Sequence, residues 1–169
     1  MKSSSFLFST LVLFLGGFVG FFIPSLSYVS DAKDISTAFS VEQNNIDSKN
    51  INALMSKGNV LYAAKKYEEA VQAYDEILKL DSKNIRALTN KGTSLYAAKK
   101  YEDAVQAYNE ILKLDSKNIR ALTNKGTSLY SAGKYEEALQ SYEEVLKLDS
   151  KNAVALKYRD ILLKKLKKV

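Results

Sequence analysis

The chain has 169 residues, a hydrophobic fraction of 46%, and neither Cys nor His. Disulfides, thiolate and imidazole metal ligands, and the commonest general base and nucleophilic dyads are thereby excluded. An enzyme would have to work with carboxylates, Lys, Tyr, Ser and Thr alone, so no catalytic activity, cofactor or metal is expected. The net charge of +6 is uneven: residues 1–50 carry −1, residues 51–152 hold 16 basic against 14 acidic residues, and residues 153–169 carry +5. With the excess confined to a short tail and no basic face interleaved with stacking aromatics, nucleic acid is not an expected partner.

Between Lys2 and Asp31 there is no charged residue, and Phe6 to Ile23 is almost wholly apolar. Such a run is longer than the roughly 7–15 residues of a secretory h-region and falls within the roughly 17–25 that span a bilayer. Residues 1–30 therefore read as a signal peptide or an N-terminal membrane anchor, forming an apolar helix. Pro24 breaks that helix, and Ser25/Ser27 or Ser30/Ala32 offer small residues to a peptidase, so the anchored and the cleaved form both stay open. Lys2 on the N-terminal side places the remainder outside the cytoplasm, either membrane-anchored or secreted. Residues 31–50 show no sustained apolar period and read as a polar linker.

From residue 51 the chain repeats itself at a fixed period of 34: residues 51–84, 85–118 and 119–152 align without gaps, and neighbours match at 27 of 34 positions. Each unit holds two amphipathic stretches separated by a polar turn, AAKKY in the first two and SAGKY in the third, which predicts a helical hairpin. In the first helix Leu54, Gly58 and Leu61 recur as Leu88, Gly92, Leu95 and as Leu122, Gly126, Leu129, on one buried face. In the second, Ala70, Tyr74, Ile77 and Leu78 recur as Ala104, Tyr108, Ile111, Leu112 and as Ala138, Tyr142, Val145, Leu146. Glycine in a helix costs about 1 kcal/mol relative to alanine. The spacing suggests that each Gly faces Ala70, Ala104 or Ala138, so that the two axes approach closely with the tyrosines filling the space beside them. Between units, Ser82, Ser116, Ser150 and Asn84, Asn118, Asn152 are candidate N-caps.

The period, the small residues at the helix crossing, the aromatic of the second helix and the Tyr that opens it (Tyr67, Tyr101, Tyr135) resemble the tetratricopeptide repeat (TPR). The resemblance covers residues 51–152 and part of 153–169. Two departures are visible: Leu54, Leu88 and Leu122 replace an aromatic often found early in the first helix, and Ser82, Ser116 and Ser150 replace the usual turn proline. The resemblance implies an all-α superhelix, an α-solenoid, of three repeats. Residues 153–169 then form a capping helix with a basic tail, Leu156 and Leu163 keeping the core register and Asp160 standing in the glycine's place.

In a stacked array of hairpins the first helices line a concave side. The face opposite their core stripe carries Asn59 and Tyr62 in the first repeat; Arg86, Asn90, Thr93 and Tyr96 in the second; and Arg120, Asn124, Thr127 and Tyr130 in the third. Asn amides can pair with both sides of an extended backbone, Arg can bind a carboxylate bidentately, and Tyr gives rigid apolar area with a polar tip. The bland alternative is that these are solvent-facing residues repeated by duplication. The family includes grooves that clamp the C-terminal carboxylate of cytosolic heat-shock chaperones, and Asn59, Asn90 and Arg120 match part of that pattern; Met55 and Asn124 stand where basic residues belong, so that activity is not carried over. The expected function is an exported, membrane-tethered scaffold that binds a peptide or helix of a partner protein. The rival reading is a self-assembling surface component built by end-to-end stacking, a homo-oligomer.

Overall fold

The computed structural model describes residues 32–167. The apolar segment of residues 1–30, with its candidate cleavage sites, and the last two residues lie outside this range. Seven α-helices follow one another among the described residues: α1 (Ala32–Ala63), α2 (Tyr67–Leu80), α3 (Ile85–Ala97), α4 (Tyr101–Leu114), α5 (Ile119–Ser131), α6 (Tyr135–Leu148) and α7 (Ala153–Leu166). The chain divides into two compact units, residues 1–42 and 43–169. In the first, the described residues are the opening of α1, where Phe39 and Val41 are exposed. The second unit holds the repeats.

The segment expected to be a polar linker is helical, because α1 runs unbroken from Ala32 to Ala63. Neither Gly nor Pro occurs in residues 32–50 to stop a helix. Polar side chains there bond along the helix instead: Gln43 donates to Asp47 at 3.0 Å and Ser48 to the Asn45 carbonyl at 2.9 Å.

Each turn between helices is written in local chemistry. Within a repeat, the first helix ends in a Schellman motif: Lys100 N–H donates to the Leu95 carbonyl and Lys99 N–H to the Tyr96 carbonyl, both at 2.9 Å. That closure needs a left-handed residue, which is Lys65 and Lys99 at φ 62° in the first two repeats and Gly133 at φ 80° in the third. Acidic residues in the first turn (Glu68 and Glu69 in α2) and Lys79 in the last complement the helix dipole. Between repeats only the asparagines act as caps: Asn84, Asn118 and Asn152 accept from the N–H groups of Ala87, Ala121 and Ala155. The serines of the same turns do not cap. Asp81 takes the neighbouring donors, accepting from Lys83 N–H at 3.1 Å and from Asn84 Nδ2 at 3.0 Å, and Asp115 and Asp149 do the same in the later turns.

The glycines serve a close approach, but with tyrosine rather than alanine. A Cβ on Gly92 would lie 2.7 Å from Tyr108 Cε1, and one on Gly126 3.0 Å from Tyr142 Cζ; Gly58 meets Tyr74 in the same way. Ala70 instead belongs to a buried cluster with Met55, Tyr74, Ile77 and Ala87, which carries the core across to the next repeat. The capping helix also departs from its expected register. Ala155 and Leu162 are fully buried, while Leu163 is 37% exposed. Leu163 continues the series Leu95 and Leu129, whose face meets the second helix of the same repeat, and no second helix follows α7 among the described residues.

Replacing a helical glycine with alanine gains about 1 kcal/mol of helix propensity, whereas overpacking a core costs about 1–3 kcal/mol. The ring contact is tighter at Gly92 than at Gly126. Urea unfolding followed by circular dichroism is therefore expected to show Gly92→Ala destabilised by about 1–2 kcal/mol and Gly126→Ala changed by under about 1 kcal/mol. Equal effects at the two sites would contradict this account of the crossing.

Candidate peptide-binding face

The site grows out of the same tyrosines. Each core tyrosine reaches from a second helix, past the glycine, to the outer face of the first helices. Tyr74 donates its hydroxyl to Asn59 Oδ1 at 2.9 Å, and that oxygen also accepts from Asn90 Nδ2 of the following repeat at 3.1 Å. Asn90 Nδ2 lies 3.4 Å from Met55 Sδ as well. One repeat on, the Tyr108 hydroxyl is 3.4 Å from Thr93 Oγ1, with the Asn124 side chain near it. In the third repeat the Tyr142 hydroxyl is 3.0 Å from Thr127 Oγ1. Thr93 and Thr127 spend their own protons on the carbonyls of Thr89 and Thr123, so in both pairs the tyrosine is the donor. At the end of the array Tyr158, one period beyond Asn124, stacks on Tyr142 with ring centroids 5.2 Å apart and planes at 9°.

Burial holds all three hydroxyls above the ordinary phenol range, Tyr142 being pushed up to about 12. The Asn90 amide beside Tyr74 and the positive charges of Arg86 on Tyr74 and Arg120 on Tyr108 pull the other way. Arg86 and Arg120 stand one helical turn before Asn90 and Asn124 on α3 and α5. Arg86 and Arg120 are exposed, and neither forms an ion pair among the described residues.

Tyr62, Tyr96 and Tyr130 pack at the ends of their helices against the tyrosines that open the next ones: Tyr67 at 5.5 Å, Tyr101 at 5.3 Å and Tyr135 at 5.7 Å. Tyr96 also reaches the following repeat, its hydroxyl 3.1 Å from Ser131 Oγ. The structure thus gathers Asn59 and Asn90 about Tyr74, Thr93 and Asn124 about Tyr108, and Thr127 about Tyr142. Arg86 and Arg120 precede Asn90 and Asn124 by one turn on the same helices, and the outer tyrosines are held by ring contacts. Sequence reasoning had the tyrosines as space-filling core and missed their hydroxyls. The available signal was a polar residue directly after each glycine, Asn59, Thr93 or Thr127, next to a phenol that could not be buried without a partner.

Among the described residues no group of acidic side chains is placed to hold a metal ion, and no helix is long and apolar enough to cross a membrane.

The architecture defines a class: helical hairpins of 34 residues, each packed on the next through its second helix. Residues 89–153 match the tetratricopeptide repeat family, and residues 34–111 match the family of anaphase-promoting complex (cyclosome) subunit 3. The first TPR of Spaghetti (RPAP3), solved bound to the HSP90 peptide SRMEEVD, is 28% identical, with a TM-score of 0.65 over 70% of this chain and 94% of that one. The second TPR domain of human RPAP3, solved with the HSP70 peptide SGPTIEEVD, is 26% identical, with a TM-score of 0.63 over 69% of this chain and 97% of that one. The TPR domain of Arabidopsis OM64 is 25% identical, with a TM-score of 0.63 over 70% and 98% of the two chains. No curated protein sequence matches the chain significantly. The chain is a tetratricopeptide-repeat protein.

Proposed function

We propose that this protein is a tethered interaction scaffold whose first-helix face binds an extended, acidic peptide segment of a partner protein. The observation that carries the reading is the pair Arg86 and Arg120: exposed, without ion-pair partners among the described residues, one period apart, and set beside a ladder of Asn and Thr side chains fixed by the core tyrosines. Amide and hydroxyl groups held in place engage a peptide backbone at little entropic cost, while two guanidinium groups select carboxylates. No acidic residue belongs to the face itself. Similar domains solved with peptides ending in EEVD support this mode of use. The ligand need not end in a carboxylate, since Met55 and Asn124 depart from the clamp pattern. The described residues hold a surface for gripping, and turnover is no part of the proposal.

End-to-end self-assembly is less well supported by the helix order. Joining α7 to α1 would set two first helices together with no second helix between them, so the period would break at every junction. For location, the apolar segment from Phe6 to Ile23 supports a tether that holds the repeats outside the cytoplasm.

Two measurements test these statements. Fluorescence anisotropy of labelled acidic heptapeptides with the full chain is expected to show binding that weakens at least tenfold in Arg86→Ala combined with Arg120→Ala, as loss of hydrogen bonds to charged groups worth about 1.5–3 kcal/mol requires. Undiminished affinity in that variant would defeat the groove reading. For the tether, the protein expressed with its leader should sediment with membranes at full intact mass. A shortened mass in the soluble fraction would replace the anchor with a cleaved signal.

A further inference from the structure

Counted by the repeat period, α7 is one more first helix, and its residues can be compared with those of the repeats one by one. Val154, Tyr158 and Ile161 stand where α5 has Arg120, Asn124 and Thr127 and α3 has Arg86, Asn90 and Thr93. The first repeat is polar at these places too, with Asn52, Ser56 and Asn59. Three positions that are polar in every repeat are thus apolar or aromatic in the last helix. They share one face of α7, since Val154 lies four residues before Tyr158 and Ile161 three after it.

Core packing does not account for the exchange. Helix α7 joins the core through Ala155 and Leu162, both fully buried, and Val154 and Ile161 take no part in that cluster. They remain 44% and 37% exposed. Tyr158 between them is half-buried, its ring stacked on Tyr142 and meeting Tyr130 edge-on with centroids 5.3 Å apart. The Tyr142 hydroxyl in turn lies 3.0 Å from Thr127 Oγ1, so one side chain joins the polar ladder to the apolar step. Lys157 and Lys164 border the step, both exposed and neither in an ion pair among the described residues. Single exposed apolar residues are ordinary on a surface. Three on one face, replacing residues that the repeats keep polar, mark a change in what the face meets.

We propose that Val154, Tyr158 and Ile161 form an apolar subsite that takes one aliphatic side chain of the same acidic segment whose carboxylates meet Arg86 and Arg120, an inference that rests on the peptide-binding reading above. The bordering lysines fit this occupant, since their charge favours acidic residues beside the apolar one and disfavours a basic segment. The size of the patch fits it as well. Two partly exposed side chains about a fixed ring cover one peptide side chain, whereas a helix lying in a lipid surface buries a whole apolar face. The arginines then select charge, and α7 selects an apolar neighbour to that charge.

Fluorescence anisotropy with the full chain tests this, using heptapeptides of Glu and Ser that carry one Leu, or Ala in its place, at either end. One of the Leu peptides is expected to bind about five- to tenfold more tightly than its Ala counterpart, as half-burial of the extra carbons implies. Val154→Ser with Ile161→Thr, both at exposed positions, should abolish that preference and leave the affinity for the Ala peptides unchanged. Arg86→Ala with Arg120→Ala should weaken Leu and Ala peptides alike while the preference persists. Equal binding of Leu and Ala peptides by the unaltered chain overturns the subsite and leaves the groove reading standing, whereas binding of neither overturns both. Because the chain has no Cys, an environment-sensitive dye on Lys164→Cys reports the occupant, and its emission should shift to the blue with the Leu peptide. A shift produced by phosphatidylserine vesicles or by raising the protein concentration, and not by the peptide, would assign the patch to a lipid surface or a second copy and likewise overturn the proposal.

Discussion

Everything in the repeat array rests on one contact, a tyrosine ring lying on a glycine. The missing Cβ lets the first and second helices of a hairpin approach within ring thickness, and the ring then carries its hydroxyl to the far side of the first helix. There it meets a polar side chain of its own repeat and, for Tyr74 and Tyr108, one from the next. A single side chain thus closes the hairpin, couples it to its neighbour and fixes the polar groups of the outer face. Surface ion pairs such as Lys91 with Asp75 join the same elements but contribute little, since exposed pairs are worth roughly 0–1 kcal/mol.

This dual use changes what the outer face is. Asn59, Asn90, Thr93 and Thr127 are bonded into the ladder before any ligand arrives. A peptide meeting them finds groups already ordered, which lowers the entropic cost of binding. Arg86 and Arg120 form no ion pair among the described residues, which leaves their charge available on the proposed reading. The face is thus part of the framework, and if it binds a partner as proposed, substitution of an asparagine would disturb both packing and binding.

The hairpins, their boundaries and the core stripe were legible in the sequence because a period of 34 residues with three copies leaves little freedom in register. Finer contacts were harder to read. The capping role of Asn84 was expected, but Asp81 was missed, because a side chain that bonds two and three residues onward leaves no mark in apolar periodicity. The glycine partner was assigned to alanine because small residues pair naturally at a crossing, while a flat ring fills the same gap equally well. The helicity of residues 32–50 escaped notice because an exposed helix needs no apolar stripe.

The central claim is that three buried hydroxyls hold the array together, and tyrosine ionisation tests it most directly. Their pKa values in the folded state are raised above the unfolded value of about 10. The stability they contribute is then complete below about pH 10, where the unfolded chain begins to ionise first, and is lost as pH rises through the raised folded values, about 12 for Tyr142. Absorbance at alkaline pH, followed together with circular dichroism, should show tyrosine ionisation that continues above the ordinary phenol range, to about 12 for Tyr142, in step with loss of helix. Ionisation of every tyrosine near pH 10 with helix content unchanged would contradict the account.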